Sequence, residues 1–153
     1  MSRLLVPLEQ ARVPGQKQFE MNGWIASAPF EDLVGIRILE ASNGRAVLEL
    51  PFTVKLSQGG GVLHGGALTT LADTAVAMAI KSLLPDGTVF ATTSLAMEFI
   101  AAVKEGEVRA EASITGPEGR EFHGTALLKD HDGRIVAKFC SRFKVARDQG
   151  FAD

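Results

Sequence analysis

One apolar helical stretch governs what this 153-residue chain can fold into. Between His64 and Leu84, the residues Leu68, Leu71, Ala72, Ala75, Val76, Ala79, Ile80 and Leu83 recur with helical period. Most of the intervening positions are small or apolar too, so the helix has to be buried on nearly all sides. It stops at Pro85-Asp86-Gly87, where proline cannot continue a helix and glycine accepts the turn. The rest of the chain from Ile36 onward reads as strand. Ile36 and Ile38, then Val47, Leu48, Leu50 and Phe52, flank Ser42-Asn43-Gly44, which predicts a hairpin. Four more strands are expected at about 89–101, 107–114, 121–129 and 134–145. Turns at Lys104-Glu105-Gly106, Gly116-Pro117-Glu118-Gly119 and Asp130-His131-Asp132-Gly133 separate them, and the last three strands form an antiparallel meander. A lone apolar helix between the second and third strands finds cover only on the concave face of that sheet. The expected fold class is α+β, an antiparallel sheet wrapped around a central apolar helix.

Ahead of this unit, Pro14-Gly15 is a break. Phe19, Met21, Trp24, Ile25 and Ala28 then fall at mixed three- and four-residue spacings, which predicts an additional N-terminal helix over about 16–30. The expected organisation is an N-terminal helical extension at residues 1–29, a main domain at 30–147 and a C-terminal tail at 148–153. No repeat, low-complexity tract or Ser/Gly linker marks a second domain. The N-terminal apolar patch is broken by Pro7 and followed by charge, too little for a secretion signal. Gly59 to Ile80 contains His64, Asp73 and several glycines and fails as a membrane span, so no membrane partner is expected. Net charge is −2 with scattered Lys and Arg, which argues against nucleic acid. A single cysteine, Cys140, excludes an internal disulfide and a CxxC site, and points to a reducing compartment, the cytoplasm.

The segment from Leu56 to Ala67 runs through Gly59-Gly60-Gly61 and His64-Gly65-Gly66 into the helix. Glycines weaken a helix start, so five in eight positions ask for a reason. They either expose the unpaired first-turn amides to an anion or a developing oxyanion, or they only turn a corner and allow close packing. The GxxxxGK[ST] order of a phosphate loop is missing. Asp73 lies mid-helix among Leu71, Ala72, Ala75 and Val76, where an unpartnered carboxylate is costly to bury. A solvated stripe with Thr69, Thr70 and Thr74 is the bland alternative to a general base or nucleophile. His64 is read as holding a backbone group at the helix start rather than as a base. His123 and His131 read as structural or solvated, Cys140 as a small buried hydrophobe, and no spacing suggests a metal. A GxSxG elbow is absent.

Gly61-Val62-Leu63-His64-Gly65-Gly66 followed by Leu71-Ala72-Asp73-Thr74-Ala75 resembles the helix-start motif of the PaaI-like branch of hotdog-fold acyl-CoA thioesterases. The likeness extends over about residues 30–145, and it makes the main domain a hotdog thioesterase domain. The resemblance implies hydrolysis of an acyl-CoA substrate without metal or cofactor. It implies that Gly65 and Gly66 border the thioester carbonyl, with the Gly66 N–H polarising its oxygen and His64 setting that geometry. Asp73 matches the family's catalytic carboxylate, reaching a site formed with the neighbouring subunit, and Thr92 matches a hydroxyl that helps to place the water. Gln58 stands where the family commonly has asparagine, six residues before the histidine, and keeps the amide on a longer arm. Dimers or tetramers with sites at the subunit interface follow from the same resemblance. Two other readings stand beside hydrolysis: a hotdog protein that binds acyl-CoA without cleaving it, and a hotdog hydratase or dehydratase. Leu63, Leu68, Met97 and Phe99 line a pocket or fill the core.

Overall fold

Asn43 and Gly44 both take the left-handed conformation (φ 50° and 77°), the two-residue turn whose twist matches that of paired strands. They join β3 (Arg37–Ser42) to β4 (Arg45–Pro51), the expected hairpin. In the computed structural model, which describes residues 1–153, this hairpin is one side of a six-stranded antiparallel sheet. The other strands are β5 (Phe90–Phe99), β6 (Glu107–Glu118), β7 (Glu121–Lys129) and β8 (Ile135–Val145). Their order, β3-β4-β6-β7-β8-β5, contains the predicted meander and sends β5 back to the free edge beside β8. β6 runs four residues beyond the expected 114. Its register with β7 shifts between Thr115 and Glu118, so Gly116 and Pro117 form a bulge within the pairing rather than the turn itself.

The central helix α2 (Gly65–Lys81) lies on the concave face, as the apolar pattern requires. Leu68, Leu71, Ala72, Ala75, Val76, Met78, Ala79 and Ile80 are buried, against Leu48 and Leu50 of β4, Val108 and Ala110 of β6, and Phe122 and Leu128 of β7. Helix and sheet are in close contact at Gly124 on β7, where an added Cβ would lie 2.1 Å from Val76 Cγ1. Leu83, counted in the helical period, lies beyond the helix end and is exposed. Ser82 closes the helix: its hydroxyl donates to the Ala79 carbonyl (2.6 Å) and accepts the Gly44 N–H (2.8 Å), tying the helix end to the β3–β4 turn.

The helix expected over 16–30 does not form. Phe19–Glu20 (β2) pairs instead with Arg3–Leu4 (β1) in a short antiparallel ribbon, and 22–26 are a run of bends. The one helix nearby, α1 (Pro29–Val34), has six residues and begins at the proline, whose missing N–H costs nothing in a first turn. Asn22-Gly23 is the physical reason, since both residues resist a helix interior. Of the apolar residues that suggested periodicity, only Trp24 packs on the core, while Phe19, Met21 and Ile25 stay exposed. The ribbon is secured at Asp32, whose carboxylate accepts Ser2 N–H (2.8 Å), Ser2 Oγ (2.6 Å) and Ser27 Oγ (2.5 Å). At the other terminus Phe151 meets Phe122 edge-on, ring centroids 6.2 Å apart. No helix is long and apolar enough to cross a membrane.

Candidate active site

The approach to α2 is a chain of backbone hydrogen bonds. Gln58 N–H donates to the Val62 carbonyl (2.8 Å), Gly61 N–H to Gln58 (2.9 Å), Leu63 N–H to Val103 (2.9 Å) and His64 N–H to Leu56 (2.8 Å). Gly61 closes this turn at φ 86°, a conformation few other residues accept. The Gln58 side chain bends back onto the loop, and its Oε1 accepts the Gly60 N–H. Glycine therefore does turn a corner at position 61, whereas Gly65 and Gly66 serve close approach. A Cβ on Gly65 would stand 3.1 Å from the Phe99 ring, and one on Gly66 2.9 Å from His64 Nδ1.

His64 is the N-cap of α2, and its Nδ1 accepts the Gly66 N–H at 2.8 Å. That is the backbone-holding role read from the sequence. It also engages the amide that the family resemblance makes the oxyanion donor. Ala67 and Leu68 turn their N–H groups back to the His64 carbonyl (2.9 and 3.3 Å), which leaves Gly65 as the first-turn amide without a partner in the chain. Gly65 opens on a cavity of about 330 Å³, lined by Gln58, Leu63, Leu68, Phe99 and Val103. Leu63 and Leu68 are thus both core and wall, Phe99 is an exposed wall, and half-buried Met97 packs against the core.

Asp73 lies two turns further along α2, half-buried on the side that faces β5. Thr92 on β5 pairs with Phe143 of β8, so its side chain points inward, and its hydroxyl donates to Asp73 Oδ1 at 2.8 Å. Burial pushes the Asp73 carboxyl above the usual aspartate range, and the Thr92 hydrogen bond opposes that only in part. No cation pairs with it. Asp73 borders a second cavity of about 380 Å³, with Thr74, Ala77, Phe90 and Phe143 along its sides and Trp24, Glu31 and Lys81 at its far end. Thr69, Thr70 and Thr74 are likewise only partly buried, but half-burial, the Thr92 hydrogen bond and the raised pKa set Asp73 apart from a fully solvated carboxylate and suit a base or nucleophile.

Gly65 and Asp73 are eight residues apart on one helix, about 12 Å along its axis. A single carbonyl cannot touch both within one chain. Edge strand β5, with Leu95 and Phe99 exposed, lies beside both cavities.

The remaining sequence candidates lie elsewhere. His123 sits on the outer face of the sheet, 3.2 Å from Glu121, and His131 in the β7–β8 turn, 3.7 Å from Asp132. Cys140, expected buried, is exposed on the outer face of β8, because strand alternation turns Phe139 and Ser141 inward. No three His, Cys, Asp or Glu side chains gather in a ligand cluster. A depression of about 580 Å³ is a furrow on the outer face between Arg45, Glu111 and Lys138, and none of the candidate residues lines it. Trp24 and Lys81, which line the Asp73 cavity, are not among the sequence candidates. The available signal was the four-residue spacing Asp73, Ala77, Lys81, which puts the only two charged residues of α2 on one face.

A model of the thioesterase superfamily matches residues 60–137, which span the helix start, Asp73 and Thr92. The conserved protein PA5202 from Pseudomonas aeruginosa has the same fold, with a TM-score of 0.75 at 31% identity over 80% of this chain and 97% of that one. A mutant of the phenylacetic acid degradation protein PaaI from Thermus thermophilus gives a TM-score of 0.70 at 25% identity, over 76% and 98%. The 1,4-dihydroxy-2-naphthoyl-CoA hydrolase of Listeria monocytogenes is 36% identical over 83 residues, 54% of this chain and 67% of that one. A six-stranded antiparallel sheet wrapped round one long helix is the hotdog fold, and the thioesterase superfamily match makes the chain a hydrolase of that class. The chain belongs to the thioesterase superfamily.

Proposed function

We propose that the protein hydrolyses an acyl-CoA thioester to a carboxylic acid and CoA, in sites shared by two subunits. The observation that carries this reading is the Asp73 carboxylate, half-buried, held by Thr92 and beside a cavity. The carbonyl oxygen is placed at the N-terminus of α2, where Gly65 N–H is open and Gly66 N–H becomes available if the His64 ring yields it. Such a donor contributes about 2.7–4 kcal/mol to the transition state of acyl transfer. Asp73 comes from the partner, because the helix separates the two halves of one chain's site.

In the general-base form of the reaction, the partner's Asp73 takes a proton from water as the water oxygen bonds to the carbonyl carbon. The resulting oxyanion rests against the helix-start amides. Collapse breaks the carbon–sulfur bond, and the CoA thiolate leaves with the proton that Asp73 held. In the alternative form Asp73 itself attacks the carbonyl, and the carbon–sulfur bond breaks to release the CoA thiolate and leave a mixed anhydride. Water hydrolyses that anhydride, returning the Asp73 carboxylate and the free acid and supplying the proton for the CoA thiol. Thr92 orients the carboxylate in either case. Gln58, engaged with Gly60, stiffens the loop beside the carbonyl rather than reaching across it.

The Listeria monocytogenes relative's name, a CoA thioester hydrolase, supports CoA as the leaving group. A cytoplasmic location is proposed on the lone thiol of Cys140, which has no disulfide partner in the chain. The test is thiol release from short, medium, long and aryl acyl-CoAs, in parallel with Asp73→Asn. Release that disappears in the variant is expected. Tight binding with no release from any thioester would move the protein to the acyl-CoA-binding class.

A further inference from the structure

The cavity beside Asp73 does not end in apolar side chains. Ala77 and Lys81 follow Asp73 at four-residue steps on one face of α2, so the cavity leads from the carboxylate to an ammonium group. Trp24, from the N-terminal segment, closes that end. Its Nε1–H donates to the Lys81 carbonyl (2.9 Å), the Lys81 ammonium donates to the Trp24 carbonyl (3.1 Å), and Lys81 Nζ lies 4.8 Å from the ring centroid. Anchoring Trp24 uses one of the three ammonium N–H bonds. The other two have no partner in the chain, and no carboxylate lies within ion-pair distance. Glu31 lines the same end, and its charge favours the ammonium, though burial outweighs it and lowers the Lys81 pKa.

Building on the thioesterase reading above, we infer that Lys81, Glu31 and Trp24 form a subsite that recognises a hydroxyl group at the tail of the acyl chain. A hydroxyl oxygen accepts from the ammonium and donates to the Glu31 carboxylate, satisfying both. A methyl terminus leaves the ammonium unpartnered and partly desolvated, and a terminal carboxylate is set against Glu31. The walls before it, Ala77, Phe90 and Phe143, are apolar and suit the body of the chain. Trp24 limits its length.

The experiment measures kcat/KM for CoA thioesters of equal chain length ending in methyl, hydroxyl or carboxylate, with wild type, Lys81→Met and Trp24→Ala. Dissociation constants of the corresponding non-hydrolysable CoA thioethers are measured in parallel. Wild type is expected to favour hydroxyl over methyl by roughly tenfold and to disfavour carboxylate. Lys81→Met erases the preference, and Trp24→Ala raises the rate on chains too long for wild type. Ratios within one protein are insensitive to the amount folded, so a merely structural Lys81 would leave them unchanged. Equal handling of methyl and hydroxyl tails by wild type, in turnover and in thioether affinity, overturns the inference. Absence of turnover with a hydroxyl preference in thioether binding overturns the hydrolase reading and leaves the subsite standing.

Discussion

The Thr92 hydroxyl donates to Asp73 Oδ1 at 2.8 Å, across the gap between the edge strand and the central helix. Burial raises the carboxyl pKa, and this hydrogen bond opposes the rise. A base or nucleophile acts only when ionised, so the acid limb of kcat/KM should lie above the range of an ordinary aspartate. Thr92→Val removes the opposing interaction and should move that limb to higher pH. An unmoved limb, measured as thiol release against pH, would mean that another group controls it.

Asp73→Asn should lower turnover by about 10²–10⁴-fold while making the fold more stable near neutral pH. Because the folded pKa is raised, the folded state binds more protons than the unfolded state between the ordinary aspartate pKa and the raised value. Stability therefore falls as pH rises through that window, and the ionised carboxylate costs stability above it. Asparagine removes that cost. Thermal melts should show the variant ahead at neutral pH and the gap narrowing in acid; a variant that melts lower at neutral pH would contradict the desolvated carboxylate.

Sites divided between subunits predict complementation. Gly65→Val presses a side chain toward the Phe99 ring and blocks the helix-start half, while Asp73→Asn disables the other half. Unfolded together and refolded at equal amounts, the two inactive proteins should recover about a quarter of wild-type activity, since half the dimers are mixed and each carries one intact site. No recovery from mixtures shown to contain mixed dimers would place both halves within one chain.

Gly66→Ala should separate stability from activity. Its Cβ would meet the His64 imidazole at 2.9 Å and displace the cap, a loss of about 1 kcal/mol. Alanine's better helix propensity returns nearly as much, about 0.8–1 kcal/mol. Denaturant midpoints should stay close to wild type, while kcat falls because the helix-start geometry is changed. A large loss of stability would show that His64 supports more than the helix end.

Gly124→Ala should be costly for a different reason, because Val76 occupies the space. Overpacking of about 1–3 kcal/mol is expected, and Val76→Ala in the same chain should recover part of it. A double-mutant cycle measures the coupling; additive effects would mean that helix and sheet are not in contact there.

Each feature legible in the chain has a local pattern behind it. The helical period of Leu68 to Ile80, the turn Asn43-Gly44 and the three-strand meander can be read within a few residues. They limit this sequence to a helix cradled by an antiparallel sheet. The Gly65-Gly66 and Asp73 pattern likewise marked the positions on which the proposed chemistry is built. The N-terminal helix failed as a prediction because its spacing was shared by residues with unrelated destinations: Trp24 on Lys81, Phe19 in a ribbon, Ile25 toward solvent. Tertiary structure decided what depends on distant partners. Thr92 meets Asp73 only because β5 returns beside β8, and the pairing of Trp24 with Lys81 spans 57 residues. Which first-turn amide stays open also follows from a rotamer, since the His64 ring is aimed at Gly66 rather than away from it. Local periodicity selects elements because backbone geometry repeats every few residues. The burial, hydrogen bonds and pKa shifts that make a site arise between elements, so they exist only once the sheet has closed on the helix.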